Sequence, residues 1–247
     1  MTERGVDVED VTDFLKAIFH LDRRRVAAWF FRGHNQAPYT LVPSLFRIDA
    51  REALSTHDQI EAYMMEAFRC EAAPFLTVRP ETDQEWLALA QHHGLPTRLL
   101  DWTTNPLVAL YFAVESEPAE DAVVWCLGLA APDDGSPSIT VFAQQRDPRN
   151  LGLVYFPKHL TSRVANQSGC FTVHRDARPL DESEADNPFL SFRHMRVPAG
   201  RKRAVLDQLF ELGIHRGFIY PGLDGISRRI AYEVTAQRFR HSDAAAR

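Results

Sequence analysis

Gln91-His92-His93-Gly94-Leu95-Pro96-Thr97-Arg98-Leu99-Leu100-Asp101-Trp102-Thr103-Thr104-Asn105-Pro106 is the stretch that decides how this chain folds. Just upstream, Thr82-Asp83-Gln84-Glu85 has the Thr-x-x-Glu spacing of a capping box, in which two side chains satisfy orphan N–H groups at a helix start. Trp86, Leu87, Leu89, Ala90 and His93 follow at helical spacing. Gly94 is placed to close that helix in a left-handed turn, and Pro96 prevents its continuation. Thr97 to Trp102 is short, apolar in its middle and bounded by turn residues, which predicts a buried strand. Asn105-Pro106 then supplies an N-cap and a proline at the first helical position, and Leu107 to Val114 reads as a helix buried on most sides. His92, His93, Asp101, Thr103 and Thr104 thus fall at element ends, where a rigid scaffold presents side chains to a pocket.

Toward the N-terminus, Ala27 to Gly33 predicts a strand rich in aromatics that ends in Arg32. An arginine after an apolar and aromatic run is costly to bury unpaired, so Arg32 requires either a protein carboxylate or a ligand anion. Gly33 beside it is read as letting a ligand approach the backbone. Val11, Phe14, Leu15, Ile18 and Phe19 share one face of a helix over residues 8–20. Overlapping capping signals at Ser55 to Gln59 open another, with Ile60, Tyr63, Met64, Ala67, Phe68 and Glu71 as its packing face.

Beyond the central block, 122–129, 152–156, 169–174 and 189–197 read as strands, and 204–212 as a helix stopped by Gly213. Phe218 to Ile226 reads as a short strand and turn leading into a last helix through about Val234. Residues 130–138 and 175–188 read as exposed loops. Strands and helices intermixed in this way predict an α/β (α+β) fold: a single domain, 27–240, with a central mixed β-sheet flanked by helices, preceded by an N-terminal helix and turn at 1–26. No internal repeat or low-complexity tract is present.

With 247 residues, the chain is long enough to bury a sizeable core. A formal net charge of -5 gives no global footprint for DNA or RNA, leaving only local basic clusters at Arg23 to Arg25, Arg201 to Arg203 and Arg228-Arg229. Three cysteines far apart in sequence argue against a zinc ribbon or a disulfide framework. The N-terminus is acidic, and no run reaches the roughly 18 apolar residues of a membrane span, so a reduced cytoplasm is the expected setting and no membrane partner is expected. The Walker loop, Gly-x-Gly-x-x-Gly, His-Glu-x-x-His and Gly-x-Ser-x-Gly signatures are absent.

Trp29-Phe30-Phe31-Arg32-Gly33-His34, Leu41-Val42-Pro43-Ser44-Leu45-Phe46-Arg47, the QHHGLPTRLLDWT block with its NPLVALYFA helix, and Arg163 to Phe171 together resemble the FRG domain, a family named for its Phe-Arg-Gly motif. The resemblance runs from about Ala27 to Ile230. In outline the order of these pieces is also similar to the ADP-ribosyltransferase fold, in which an Arg or His on the first strand holds NAD, a hydroxyl-bearing strand supports the nicotinamide ribose, and a Glu or Gln on a late strand precedes a Gly-x-Phe-like turn. That likeness implies NAD as substrate, Arg32, Gly33 and His34 with Trp102, Thr103 and Thr104 around it, and Arg32, His92, Asp101 and Gln167 as catalytic candidates. It implies a bacterial toxin or defence effector with a protein or nucleic-acid acceptor, and a neutralising or activating protein partner.

The chain departs from the pattern at the acid, since Gln167 stands where the transferase has glutamate. The residues also admit structural readings. His92 and His93 suit a helix cap, Asp101 an ion pair with Arg98, Thr103 and Thr104 the turn before an N-cap, Gln167 to Gly169 a turn, and Trp102 the core. A binding module gripping a nucleotide or RNA without turnover is the alternative function. A zinc or iron site using His34 is weaker, because no acidic or cysteine ligand stands at coordinating spacing, and no metal is expected.

Overall fold

A computed structural model of the chain describes residues 5–24, 26–51, 53–76, 78–116, 119–130, 154–157, 165–187 and 189–236. The expected loop at 130–138 lies almost wholly outside them, as do residues 163–164 of the quoted block. The strands are β1 (Gly5–Asp7), β2 (Val26–His34), β3 (Leu99–Thr103), β4 (Ala122–Ala130), β5 (Val154–Tyr155), β6 (Gly169–Val173) and β7 (Leu190–Val197). They form a sheet in the order β1-β7-β4-β2-β3-β6-β5. The β1–β7 pair is parallel and the others antiparallel, giving the mixed sheet expected from the sequence.

The helices are α1 (Val11–Phe19), α2 (His57–Ala72), α3 (Asp83–His92), α4 (Pro106–Val114), α5 (Lys202–Glu211), α6 (Arg216–Ile219) and α7 (Leu223–Thr235). Both capping boxes form, Thr56 with Gln59 and Thr82 with Glu85. Gly94 closes α3 at φ +89°, and the Asn105 side chain accepts the Leu107 N–H at 3.0 Å to open α4.

Strand alternation sorts two cores onto the two faces of the sheet. Phe31, Val124, Cys126 and Met195 pack beneath α1, α4 and α5, while Phe30, Leu127, Phe192, Leu100, Trp102 and Cys170 pack on the other face. β4 lies centrally, paired along its length with β2 and β7, which is why its sequence is an unbroken apolar run. Gly33 faces α4. A Cβ there would stand 2.0 Å from the Ala109 carbonyl oxygen and 2.6 Å from the Ala113 nitrogen. The glycine lets helix and strand backbones touch, a packing role that its sequence context did not suggest.

Other expectations are corrected. Phe218 to Ile226 contains no strand; it holds α6, capped by His215, then a turn at Gly222 (φ +135°) and the start of α7. On α2, Ile60, Met64 and Phe68 pack as expected, joined by Glu61 and Met65, whereas Tyr63 and Glu71 are exposed, as is Phe19 at the end of α1. Residues 175–187 are not wholly an exposed excursion. A 3-10 turn, Leu180–Ala185, buries Leu180 in the second core, where its N–H donates to the Leu41 carbonyl at 3.1 Å. β1 was not foreseen; it is a three-residue edge strand tied to β7 by Asp7 and Arg196 at 2.5 Å. No helix among the described residues is long and apolar enough to cross a membrane.

Candidate functional site

β2 and β3 share one backbone pair, Phe31 with Thr103, although β2 stays paired with β4 as far as His34 and β3 stays paired with β6 as far as Leu99. Beyond Phe31 the sheet therefore parts, and a cleft of about 570 Å³ opens along the split. That volume falls in the roughly 300–1,000 Å³ range of small-molecule sites. Arg32, Gly33, His34, His92, Asp101, Trp102, Thr103 and Gln167 all line it. Thr104 does not; it lies with Val26, Trp29 and Pro106 in a separate hollow.

Arg32 bridges the split. Its Nη1 donates to the Asp101 main-chain carbonyl at 2.7 Å, and its Nε donates to His34 Nε2 at 2.9 Å. The Asp101 carboxylate is 3.5 Å from Nη1 and is itself largely exposed at the cleft. Among the described residues Nη2 makes no hydrogen bond. Burial pushes the Arg32 pKa down, against the pull of Asp101, and a guanidinium remains charged regardless. The requirement for a partner is met in part by a carboxylate and otherwise by a neutral ring and a backbone oxygen.

His34 is neutral by construction. Nε2 accepts from Arg32, so the ring proton sits on Nδ1 and goes to the Tyr39 carbonyl at 3.2 Å. Burial, and then the Arg32 charge, push its pKa down to about 3. A second buried imidazole, His174, feels the same charge: burial first and Arg32 second lower it to about 4. His174 Nε2 shares a hydrogen bond with Thr172 Oγ1 (2.9 Å), which also accepts from the Trp102 indole N–H (3.0 Å). Trp102 is thus core and cleft wall at once, its ring held by a polar network behind it.

Thr103 Oγ1 donates to the Gln167 carbonyl (2.6 Å) and accepts the Asn105 N–H (2.9 Å), which commits its hydroxyl to the fold. The Gln167 amide donates to the Ile219 carbonyl at 3.0 Å. Ser168 takes φ +47° to turn the chain into β6. His92 meets His93 edge to face at 5.1 Å, beside Gln91, which accepts from Thr97. Arg98 does not pair with Asp101. It binds Glu61 at 2.5 Å and Asp58 at 2.6 Å, both on α2.

Two lining charges were missed. Glu115, following α4, accepts from the Tyr220 hydroxyl at 3.0 Å and stands 3.6 Å from Arg216. Arg47 ends the 3-10 turn Ser44–Arg47. The signal for Arg47 was available: Leu45-Phe46-Arg47 repeats the pattern of Phe30-Phe31-Arg32, two buried apolar residues and then an arginine. Of the basic clusters, Arg23, Arg24 and Arg228 are exposed, while the others among the described residues are engaged. Arg201 pairs with Glu9, Arg203 with Asp207 and Arg229 with Glu233, and Lys202 is buried with its Nζ donating to the Asn35 carbonyl. Among the described residues no group of three or more His, Cys, Asp or Glu side chains is placed to hold a metal ion.

Residues 27–122 match the FRG domain. The FRG match starts within β2 and ends as β4 begins, so it holds Arg32, Arg47, His92, Asp101, Trp102, Thr103 and Glu115 of the cleft. Gln167 and β6, which complete the cleft, lie beyond the FRG match. No curated protein and no solved structure matches the chain.

Proposed function

We propose that the cleft is an NAD site and that the protein is an ADP-ribosyltransferase or NAD glycohydrolase. The observation that carries this reading is Arg32: a guanidinium fixed across the split sheet, with its Nη2 edge uncommitted in a cleft walled by an indole. A planar fork suits a phosphate oxygen pair, and Trp102 gives a face on which a base or nicotinamide stacks. The C–N bond between ribose and nicotinamide breaks with its electron pair leaving on nicotinamide. An acceptor hydroxyl, amine or water then adds to the sugar carbon and gives up its proton. The intermediate charge is positive, so positioning and an ionised carboxylate carry the catalysis.

Gln167 is a neutral amide bound to Ile219 and supplies no such charge. Asp101, exposed at the cleft and adjoining Arg32, is assigned that role, whereas Glu115 is held by Tyr220 and Arg216. The acceptor would be a protein or nucleic acid, in keeping with a toxin or defence effector restrained or activated by a protein partner. Incubation with NAD, with and without cell lysate, tests this by free nicotinamide and attached ADP-ribose. Release lost in Arg32→Ala and Asp101→Asn is expected; equal release from the variants and the parent contradicts it. A binding module without turnover is favoured by one observation, the tethered amide at Gln167. It would show salt-sensitive ADP-ribose binding and no nicotinamide release.

A further inference from the structure

Arg47 is the cation of the cleft that the preceding reading leaves unassigned. Its turn is rigid: Leu45 and Phe46 are buried, the Leu45 N–H donates to the Thr97 carbonyl (3.3 Å), and the Phe46 ring meets His57 edge to face at 5.2 Å. The side chain that follows is exposed and lines the cleft. Among the described residues it has neither hydrogen bond nor ion pair, and its charge acts on both Arg32 and His34.

The carboxylates of the cleft do not neutralise it. Asp101 is the ion-pair partner of Arg32, and Glu115 is taken up by Tyr220 and Arg216. Two guanidiniums therefore share one cleft beside a neutral His34, and a diphosphate offers each of them its own phosphate. An extended polyanion is the poorer fit, because Arg201, Arg203 and Arg229 elsewhere on the surface are each paired with a carboxylate and the net charge is -5.

We propose that Arg32 and Arg47 form a two-point site for a diphosphate, one guanidinium on each phosphate, so that the cleft selects nucleoside diphosphates and their esters over monophosphates. This deepens the NAD reading and rests on its placement of Arg32, but it needs no turnover. Calorimetric titration of the full chain with AMP, ADP and ADP-ribose at fixed salt tests it. ADP and ADP-ribose are expected to bind tighter than AMP by about tenfold to a hundredfold, the range of a charge-assisted hydrogen-bond pair. Arg47→Ala should bring ADP to the level of AMP while changing AMP itself by less than about threefold, and Arg47→Lys should restore part of the difference.

Equal affinity of the parent protein for AMP and ADP overturns the proposal, whatever the variants do. So does an ADP preference that survives in both Arg47→Ala and Arg47→Gln, or a single-stranded oligonucleotide that displaces ADP-ribose at equal phosphate concentration. Failure of the NAD reading is a separate result: ADP gripped through Arg47 with no nicotinamide release sinks the catalysis and leaves the diphosphate site standing.

Discussion

Arg32 and Arg98 are both largely buried, at 21% and 15% side-chain exposure, and their surroundings are opposite. Arg98, at the foot of β3, is enclosed by two carboxylates on α2. Burial alone would lower its pKa, but the hydrogen bond to Asp58 and the charge of Glu61 raise it instead. Arg32 has one carboxylate at the edge of reach, a neutral histidine and a backbone carbonyl, and burial lowers it. A compensated arginine fastens α2 to the sheet. A half-compensated one holds positive charge ready for a ligand, and the fold bears that cost at the place where the sheet splits.

The largest effect expected from breaking this contrast is on stability at Arg98. Arg98→Ala leaves Glu61, 12% exposed at its side chain, without its cation, and removing one partner of a buried pair costs about 3–5 kcal/mol. Thermal melting should fall by about 10 °C or more. A change of only a few degrees would show that the pair is solvated and that the two arginines are alike.

Acid sharpens the contrast next. The folded-state pKa values of His34 and His174 lie at about 3 and about 4, below the usual imidazole value, so the unfolded chain binds protons that the native chain refuses. Their contribution is intact above about pH 6.5 and is lost as pH falls toward those values, at up to about 1.4 kcal/mol per pH unit for each. Melting followed from pH 7 to pH 4.5 should decline, and His174→Asn should flatten the decline. A pH-independent melting point across that range would rule this out.

Gly33→Ala comes third, because it forces a methyl group into the Ala109 carbonyl and so displaces α4 from β2. About 1–3 kcal/mol of destabilisation is expected by chemical denaturation, and a neutral result would mean that α4 shifts freely. Arg32→Ala should cost the least stability, about 1 kcal/mol for its bond to the Asp101 carbonyl, while weakening ligand binding.

Legibility in the sequence followed the range of the interaction. Capping boxes at Thr56 and Thr82, the Asn105-Pro106 start and the Gly94 stop are codes of a few residues, and each forms as written. The apolar run of β4 announced a buried strand because a doubly covered strand has no polar face. The Arg98 partner was misread because Glu61 stands 37 residues away on α2, where no local pattern marks a buried carboxylate. β1 is short, and its pairing with Arg196 spans 189 residues, so no local pattern marks it. Phe218 to Tyr220 has strand composition, but it folds as a helical turn packed on the core beneath α4. Of the cleft, Arg32, His92, Asp101, Trp102 and Thr103 were legible by motif, Arg47 carried an unread local signal, and Glu115 became visible once the split between β2 and β3 was known.

The most direct test of the open charge at Arg32 is the affinity of NAD for the parent protein, Arg32→Lys and Arg32→Ala, each titrated beside its own melting curve. Binding is expected to weaken by about tenfold or more in both variants, with melting within a few degrees of the parent, since lysine lacks the planar fork. Unchanged affinity in Arg32→Ala would contradict it and leave Arg32 as a staple of the split sheet alone.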